Sequence, residues 1–242
     1  AVINHSDPGC QKLGVISNDK TMGFGYQNAR VTISQVDASG PKVRFNLNHD
    51  GKDGFVELNI AGEHNAQNAA AAVTVLTGLG FGFEQGIQAV AQYQGAERRF
   101  ELHGEQRGVR VYDDFAHHPT EVAAALKGAR ASNPHGKLIT VFQPHLYSRT
   151  RIFQKEFAEV LSLSDQVVIT DVYAAREDPE PGVTGELIVK HFEASDKVHY
   201  VPDWDSVPAI ASSLAESGDF IITMGCGDIY KMCPALLDSL ES

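Results

Sequence analysis

Apolar and polar residues alternate in the first part of the chain, whereas later segments are short unbroken apolar runs. Alternation with a period of two is typical of half-buried antiparallel strands. An Ala-, Val- and Leu-rich stretch from about His64 to Leu79 predicts a helix, and a second helix is expected at about 83–93. The alternating pattern predicts strands at 29–37, 42–49 and 54–60.

The later runs LITVF, VVIT and FIITM are typical of strands buried on both faces of a parallel sheet. Helical patterns alternate with them, which predicts an α/β fold with a doubly wound, Rossmann-like sheet. Strands are expected near 100–105, 109–113, 138–142, 166–170, 197–201 and 219–224. Helices are expected near 119–131, 149–163, 184–193, 204–216 and 229–240.

The change of pattern predicts two domains, 1–96 and 97–242. The sequence opens on an apolar AVIN segment that reads as a short buried strand, without an initiating Met and with nothing ahead of it to pair with. We therefore expect the sequence to be a fragment of a larger protein, with an incomplete first domain.

Composition and charge restrict the possible ligands. The net charge of −11 argues against a nucleic-acid backbone as the main partner, because such binding depends on clustered Lys and Arg. A few local arginines could still bind a small anion. The three cysteines, an odd number without metal-finger spacing, favour a reduced, cytoplasmic location. No apolar run approaches the about 20 residues that span a bilayer, so membrane insertion is not expected.

Ionisable side chains collect where the predicted parallel strands end. The segments DDFAHHP, QPHLYSRTR, DVYAAREDPEPG and GCGD each follow a strand, whereas a loop on the opposite edge, ARASNPHGK, looks like a plain connection. Ligands of open α/β sheets bind outside the carboxyl ends of the strands, so this edge is the predicted functional site.

Helix starts explain part of this chemistry. Asp113 and Asp114 could be N-terminal caps, with Pro119 as the first helical residue and Glu121 in the first turn. Capping does not explain the adjacent histidines of HHP. An Arg in a first turn opposes the helix dipole, so Arg149 favours an anionic ligand over a merely exposed position. The two glycines of GCGD could serve packing alone, because the third glycine of a dinucleotide fingerprint is absent.

Two pairs of residues lie outside these strand ends. Asn65 and Asn68 lie near the start of the long first-domain helix. In one interpretation Asn65 is the N-cap and Asn68 is a solvated side chain. In the other, both carboxamides bind a heteroaromatic base from one face of the helix. Arg98 and Arg99 in GAERRFE are either a solvated linker or a phosphate clamp. The chain has no G-x-x-x-x-G-K-[ST], so a triphosphate cradle would have to precede Ala1.

Six segments in order resemble the Mur ligases over essentially the whole chain: HNAQNAAAA, GAERRFE, YDDFAHHPTEV, FQPHLYSRTR, DVYAAREDPEPG and MGCGDI. The combination of YDDFAHHPTE with QPHLYSRTR is the most specific part, and it resembles most closely the members that act on UDP-N-acetylmuramate and L-alanine. The resemblance implies that 1–96 is the later part of a central ATP-binding domain without its P-loop half. It implies that 97–242 is the C-terminal Rossmann-like domain.

This resemblance implies an ATP-dependent ligase of peptidoglycan precursor synthesis. The lactyl carboxylate of UDP-N-acetylmuramate would attack the γ-phosphate of ATP to give an acyl phosphate. The amine of L-alanine would then attack the acyl carbon, with loss of phosphate. Mg²⁺ would accompany ATP, with ligands ahead of Ala1, and a chain without the phosphate cradle would be inactive alone.

The same resemblance implies nucleotide contacts. Arg99 would stabilise the phosphoryl-transfer transition state when the two domains close, which suits a mobile guanidinium. Asp114 would hydrogen-bond the ATP ribose. Asn68, with Asn65, would contact the adenine or order nearby groups.

Three further residues would line the pocket for the acyl phosphate and the amino acid: His117, His145 and Arg149. Arg149 suits a carboxylate, which a guanidinium binds through two hydrogen bonds. His117 or His145 would take a proton from the attacking ammonium group or only position it. Phe115 stands where the family commonly has Tyr, and Leu146 where it often has Arg, which leaves details of substrate contact open.

Other interpretations compete with this one. A ligase of the same family that recycles muropeptides shares HHPTE, although QPHLYSRTR favours the alanine-adding members. A nucleotide-binding oxidoreductase domain would use GCGD, but it would need a GxGxxG fingerprint, which the sequence lacks. A non-catalytic interaction domain would not explain the polar clustering on one edge of the sheet.

Overall fold

The computed structural model describes residues 1–17 and 21–241. It divides into two compact units, Ala1–Gly95 and Ala96–Ser242, each with its own β-sheet and its own hydrophobic core. The α/β fold predicted from the alternating patterns is confirmed. No helix within the described ranges combines the length and apolar character needed to cross a membrane.

The first unit contains a five-stranded sheet. Its first three strands run parallel to one another, the fourth is antiparallel to the third, and the fifth is antiparallel to the fourth. The alternating pattern predicted the antiparallel pairing of the last three strands. The opening segment forms the short strand that was predicted, and it pairs with the second strand, which follows it in the chain. It is half-buried at the edge of the sheet and not fully buried as expected. In sheet order the strands are β1 (Val2–Asn4), β2 (Met22–Gly25), β3 (Val31–Asp37), β4 (Val43–His49) and β5 (Lys52–Leu58).

The helices of this unit are α1 (Pro8–Ser17), α2 (His64–Gly78) and α3 (Phe83–Ala91). Ala66, Ala70 and Val73 are fully buried on one side of α2 and pack against the apolar face of β3, β4 and β5. The small alanine side chains let this helix approach the sheet closely, so the Ala-rich pattern of HNAQNAAAA serves packing.

The second unit contains the predicted doubly wound sheet. Its strand order is β10-β9-β8-β11-β7-β6, and all neighbouring strands are parallel except β6 and β7. Every residue of LITVF and FIITM is buried, as expected for central parallel strands. The strands are β6 (Glu101–Gln106), β7 (Val109–Asp114), β8 (Leu138–Phe142), β9 (Gln166–Ile169), β10 (Val198–Tyr200) and β11 (Phe220–Met224).

Helices cover both faces of this sheet, and a separate apolar cluster lies under each face. The helix predicted at 184–193 is only one turn long, and those predicted at 204–216 and 229–240 begin with 3-10 turns. Parallel strands bring the carboxyl ends of β7, β8, β9 and β11 to one edge. The helices are α4 (Pro119–Ser132), α5 (Tyr147–Leu161), α6 (Glu186–Val189), α7 (Val207–Ser213) and α8 (Cys233–Glu241).

Candidate functional site

Strand β7 ends in two carboxylates, and the first of them is completely buried. Asp113 accepts a hydrogen bond from Thr223 Oγ1 on the neighbouring strand β11 at 2.6 Å. Its other oxygen accepts from Arg98 Nε at 2.8 Å, which makes a buried ion pair. Asp113 therefore joins strand ends and does not cap α4, so its interpretation as an N-cap was wrong.

Asp114 binds two backbone amides, one in the turn that follows it and one in the segment ahead of β6. Its two oxygens accept from the N–H groups of Ala116 at 2.8 Å and Phe100 at 2.9 Å, and the residue is 5% exposed. The N-cap interpretation was wrong here too, because these amides precede the helix. Burial raises the pKa of Asp114 to about 6, against the opposing effect of the two hydrogen bonds.

The cap of α4 is His118, whose Nδ1 accepts from Thr120 N at 3.3 Å. Pro119 is the first helical residue and Glu121 lies in the first turn, as predicted. Glu121 Oε2 also accepts from the backbone N–H of His117 at 3.1 Å. His118 therefore caps the helix, whereas the side chain of His117 does not take part in capping.

His117 is held by its own turn, with its side chain 20% exposed. Its Nδ1 lies 2.9 Å from the carbonyl oxygen of Phe115. A carbonyl oxygen only accepts, so Nδ1 carries the proton in the neutral ring and Nε2 keeps its lone pair. His117 therefore presents a proton acceptor.

His145 lies beside His117, with ring centroids 5.9 Å apart, and stacks on Tyr173 at 5.8 Å. Its Nδ1 lies 3.2 Å from Arg149 Nη1, and a guanidinium only donates, so Nδ1 accepts and the proton of the neutral ring is on Nε2. Burial, followed by the positive charge of Arg149, lowers the pKa of His145 below its ordinary value. His145 is thus a neutral hydrogen-bond donor.

Helix α5 starts at Tyr147, two residues before the predicted position, with a buried Leu146 at φ 71° ahead of it. Glu177, in the loop after β9, accepts from Ser148 N at 2.9 Å and from Ser148 Oγ at 2.5 Å. The cap therefore comes from a distant part of the sequence, and it orients the first turn that carries Arg149. The other arginine of this segment, Arg151, pairs at the surface with Glu180 at 2.9 Å.

The glycines of GCGD are explained by close packing. A Cβ on Gly227 would lie 2.4 Å from Gln143 Oε1 and 2.8 Å from Tyr173 Cγ. One on Gly225, at φ 150°, would lie 2.8 Å from Gln143 O. Between them, burial raises the pKa of the Cys226 thiol, and the nearby Arg149 guanidinium partly opposes this effect. The packing interpretation of the two glycines is therefore correct.

The two arginines of GAERRFE have different environments. Arg98 is largely buried and binds Asp113 together with the carbonyl oxygens of Gly225 and Gly227. Arg99 is exposed, and its Cζ lies 5.4 Å from the centre of the Phe115 ring. Arg99 is therefore the more accessible of the two guanidinium groups, whereas that of Arg98 is held by protein acceptors.

Asn65 and Asn68 lie in the first unit, in the opening turns of α2. Asn65 Nδ2 donates to Ala61 O at 2.7 Å, and Asn68 Nδ2 donates to Asn65 Oδ1 at 3.2 Å. The N-cap position is Glu63, so the interpretation of Asn65 as the cap was wrong. Asn65 instead orients the exposed carboxamide of Asn68.

The structure thus brings His117, His145 and Arg149 together at one strand edge. Asp114 lies at the end of β7, and Arg99 lies in the segment ahead of β6, beside Phe115. Sequence reasoning missed Tyr173 as the platform of His145 and Glu177 as the cap of α5; both lie in DVYAAREDPEPG, whose density of polar residues was the available signal. Within residues 1–17 and 21–241, no three His, Cys, Asp or Glu side chains are grouped to hold a metal ion.

Comparison with known proteins gives one family match, to "Mur ligase, glutamate ligase domain", over residues 98–227. Among curated proteins, the UDP-N-acetylmuramate--L-alanine ligase of Clavibacter michiganensis subsp. michiganensis (strain NCPPB 382) is 46% identical over 242 residues. That alignment covers 99% of this chain and 51% of the relative. The chain spans about half the length of the curated relatives that it matches over nearly all of its residues.

Solved structures share the fold. The UDP-N-acetylmuramate-alanine ligase MurC of Thermotoga maritima aligns with a TM-score of 0.78 and 24% identity, over 98% of this chain and 50% of that one. The MurF ligase of Thermotoga maritima in complex with ADP aligns with a TM-score of 0.72 and 19% identity, over 100% of this chain and 52% of that one. At these identities the similarity establishes the architecture alone.

Proposed function

The chain belongs to the Mur ligase family, and we propose that it is part of an ATP-dependent ligase that joins L-alanine to UDP-N-acetylmuramate. Curated relatives that are 40–46% identical over 99% of this chain are named for this reaction. We further propose that residues 1–96 belong to the ATP-binding domain and 97–242 to the C-terminal domain. The enzyme would work in the cytoplasm, where ATP and the sugar nucleotide are available.

The convergence of His117, His145 and Arg149 carries the proposal. A hydrogen-bond acceptor, a hydrogen-bond donor and a guanidinium lie side by side, with ring centroids 5.9 Å apart and Arg149 3.2 Å from His145. The substrates of amide synthesis need these three functions. The ammonium group must lose a proton, the acyl phosphate must be held, and the amino acid carboxylate must be bound.

Arg149 suits the carboxylate of L-alanine. Within the described ranges no carboxylate lies within ion-pair distance of its guanidinium, in contrast to Arg151, which pairs with Glu180. A guanidinium binds a carboxylate through two parallel hydrogen bonds, which fixes the orientation of the amino acid. The bound amine would then face the two imidazoles.

His117 is the proposed proton acceptor, because its Nε2 keeps a lone pair in the neutral ring. It takes the proton that the ammonium group loses, and the amine nitrogen then attacks the acyl carbon. His145 donates from Nε2 to an oxygen of the acyl phosphate. The C–N bond forms, the C–O bond to phosphate breaks, and phosphate leaves with the electron pair of that bond and takes up the second proton that the nitrogen loses on becoming an amide.

Arg99 is proposed to act in the preceding step. The lactyl carboxylate attacks the γ-phosphate of ATP, and the bond to ADP breaks. Charge on the transferring group is stabilised by a guanidinium that can move towards it, and Arg99 is exposed beside Phe115.

We propose that Asp114, Asn65 and Asn68 contact ATP. Asp114 keeps one free lone pair on each oxygen after binding the two amides, so a ribose hydroxyl could still donate to it. Asn65 and Asn68 form a carboxamide pair, and the Asn68 end is exposed. Mg²⁺ would accompany ATP, but the described residues offer no cluster that fits it. We therefore assign no step of the reaction to the metal.

Product formation tests the proposal directly. A full-length ligase that contains this chain is incubated with ATP and UDP-N-acetylmuramate, and with L-Ala, L-Ser, Gly or a tripeptide in turn. We expect phosphate release and a new amide with L-Ala. A preference for tripeptide would indicate the recycling ligase, and absence of phosphate release with every acceptor would refute a ligase function.

Matched variants test the site itself. Arg149→Ala should raise the KM for L-Ala, because the carboxylate loses its partner, whereas Arg151→Ala removes only a surface pair with Glu180. Equal effects of the two substitutions would remove Arg149 from the proposed site.

A further inference from the structure

Arg98 joins the ends of two neighbouring strands in the second unit. Its Nε donates to Asp113 Oδ2 at the end of β7 at 2.8 Å. Its Nη2 and Nη1 donate to the carbonyl oxygens of Gly225 at 2.7 Å and Gly227 at 3.1 Å, in the loop after β11. All three guanidinium nitrogens therefore have protein acceptors, and these acceptors belong to two separate segments.

Two aromatic rings also lie against this guanidinium. Its Cζ is 4.4 Å from the centre of the Tyr230 ring and 5.0 Å from that of Phe115. Guanidinium groups are attracted to ring faces at such distances. With its nitrogens occupied and rings beside it, Arg98 is built into the protein and is not presented to a ligand.

Two sets of partners of Arg98, the glycine carbonyls and Phe115, are neighbours of residues of the proposed site. Cys226 lies between the two glycines whose carbonyls bind Arg98, and the Arg149 guanidinium is near enough to oppose the rise in the pKa of its thiol. Phe115 lies beside Arg98 and also 5.4 Å from the Cζ of Arg99. Arg98 thus holds the loop that contains Cys226, a neighbour of Arg149, and it also holds the Phe115 ring, which lies against Arg99.

We propose that Arg98 is a positioning residue, which holds the 225–228 loop and Phe115 so that Arg149 and Arg99 face the reacting groups. The role in turnover rests on the proposed ligase function. The holding of the loop does not rest on it, because it concerns contacts within the second unit alone.

The cysteines of the 242-residue chain provide a readout that needs no activity. Cys226 is half-buried and its pKa is raised by burial, so it should react slowly with iodoacetamide. Cys233 is fully buried in the core of the same unit, and it reports unfolding of that unit. Mass spectrometry of the labelled peptides gives a rate for each cysteine separately.

In Arg98→Ala we expect Cys226 to react about tenfold faster while Cys233 stays protected, because the loop opens locally without global unfolding. An unchanged Cys226 rate with Cys233 protected would overturn the proposal.

If both cysteines react faster in Arg98→Ala, the unit has unfolded, and the Cys226 rate in Arg98→Lys then tests whether Arg98 holds the loop. A single ammonium cannot bridge the carboxylate and both carbonyls, so Cys226 must still react faster than in the wild-type chain. A wild-type rate in a folded Arg98→Lys chain overturns the proposal.

Arg130 is a matched control at the opposite end of the strands. It also joins a carbonyl oxygen, that of Gly136 at 2.7 Å, to a carboxylate, that of Asp165 at 2.5 Å. Arg130→Ala should cost comparable stability but leave the Cys226 rate unchanged. Equal acceleration of Cys226 in both variants would mean that any loss of stability opens the loop, which would overturn a specific role for Arg98.

The full-length ligase gives the second readout. Arg98→Lys should lower kcat about tenfold and raise the KM for L-Ala, with the KM for UDP-N-acetylmuramate unchanged, as displacement of positioned groups predicts. Arg130→Ala should leave kcat unchanged. A wild-type kcat and KM in Arg98→Lys would overturn its role in turnover. Absence of wild-type turnover would refute the ligase function, while the labelling rates would still decide whether Arg98 holds the loop.

Discussion

The imidazole rings of His117 and His145 lie 5.9 Å apart between centroids, at an interplanar angle of 65°, and their neighbours give them opposite tautomers. The Phe115 carbonyl oxygen puts the proton of His117 on Nδ1, and Arg149 puts that of His145 on Nε2. The pair therefore offers one proton acceptor and one hydrogen-bond donor to a substrate, which two identical tautomers could not do.

The first prediction concerns the titration of His145. NMR of the ring protons should give a midpoint below 6.5, because burial and the charge of Arg149 disfavour the imidazolium. The unfolded chain then binds more protons, so the contribution of His145 to stability is lost as the pH falls below 6.5.

Substitution of the nearby arginine tests the second cause of that shift. Arg149→Met removes the charge but retains most of the burial, so the midpoint should rise towards 6.5 without reaching it. Arg151→Met, which alters a surface pair, should leave the midpoint unchanged. A midpoint that does not respond to Arg149→Met would contradict the contact between Arg149 and His145.

Asp114 gives the second prediction. Its folded-state pKa of about 6 exceeds its ordinary value of 3.8, so the unfolded chain loses its proton first. The stability contributed by the protonated form is present below pH about 4 and lost as the pH rises through about 6, a difference of about 3 kcal/mol.

Urea unfolding at pH 4 and pH 7 measures this effect, because the single tryptophan, Trp204, lies in the second unit and reports its unfolding. The wild-type chain should lose stability relative to Asp114→Asn between these pH values. Asp178→Asn, at an exposed position, should change nothing. A difference between wild type and Asp114→Asn that stays constant with pH would exclude a raised pKa.

Arg99 gives the third prediction. In a full-length ligase, Arg99→Ala should lower kcat about 10³-fold, because a guanidinium that stabilises a transferring phosphoryl group contributes on this scale. UDP-N-acetylmuramate affinity, measured by calorimetry, should stay near that of the wild type. Arg107→Ala, at another exposed arginine of the unit, is the control. A large loss of sugar binding in Arg99→Ala would count against a role at the phosphate.

Gly227 gives the fourth prediction. A Cβ there would lie 2.4 Å from Gln143 Oε1, so Gly227→Ala should destabilise the second unit by about 1–3 kcal/mol and displace Tyr173 from His145. Gly182→Ala is the comparison, because its Cβ meets open space and only its φ of +81° is unfavourable. Trp204 fluorescence measures both losses, and a crystal structure shows the ring. An unmoved Tyr173 in Gly227→Ala would refute the packing explanation.

Strong local patterns made much of the fold predictable. LITVF and FIITM are unbroken apolar runs between polar loops, and both are buried central strands. The pattern is weaker near the start of the chain. The opening AVIN was expected to be a strand and is one, but β2 is MGFG, in which two glycines conceal the alternation, and it was not predicted. The one-turn α6 was predicted too long, because a helical pattern does not record where tertiary packing ends a helix.

The site was predictable in the residues that it gathers, but less so in what each residue contacts. The position of the polar loops after parallel strands indicated the right edge for His117, His145 and Arg149. The Arg98 side chain reaches its buried partners from a backbone with a positive φ of 58°, which no sequence pattern specifies. The capping of α5 by Glu177 spans 29 residues, beyond the reach of local capping rules.

Strand β11 lies between β7 and β8 in the sheet, although it is made after β7, β8, β9 and β10. In the sheet, β6 and β7 lie on one side of β11, and β8, β9 and β10 lie on the other. The two halves share no hydrogen-bonded ladder until Phe220–Met224 has left the ribosome. Folding of this unit is therefore completed by a late insertion, and until then two parallel strand edges are open to aggregation.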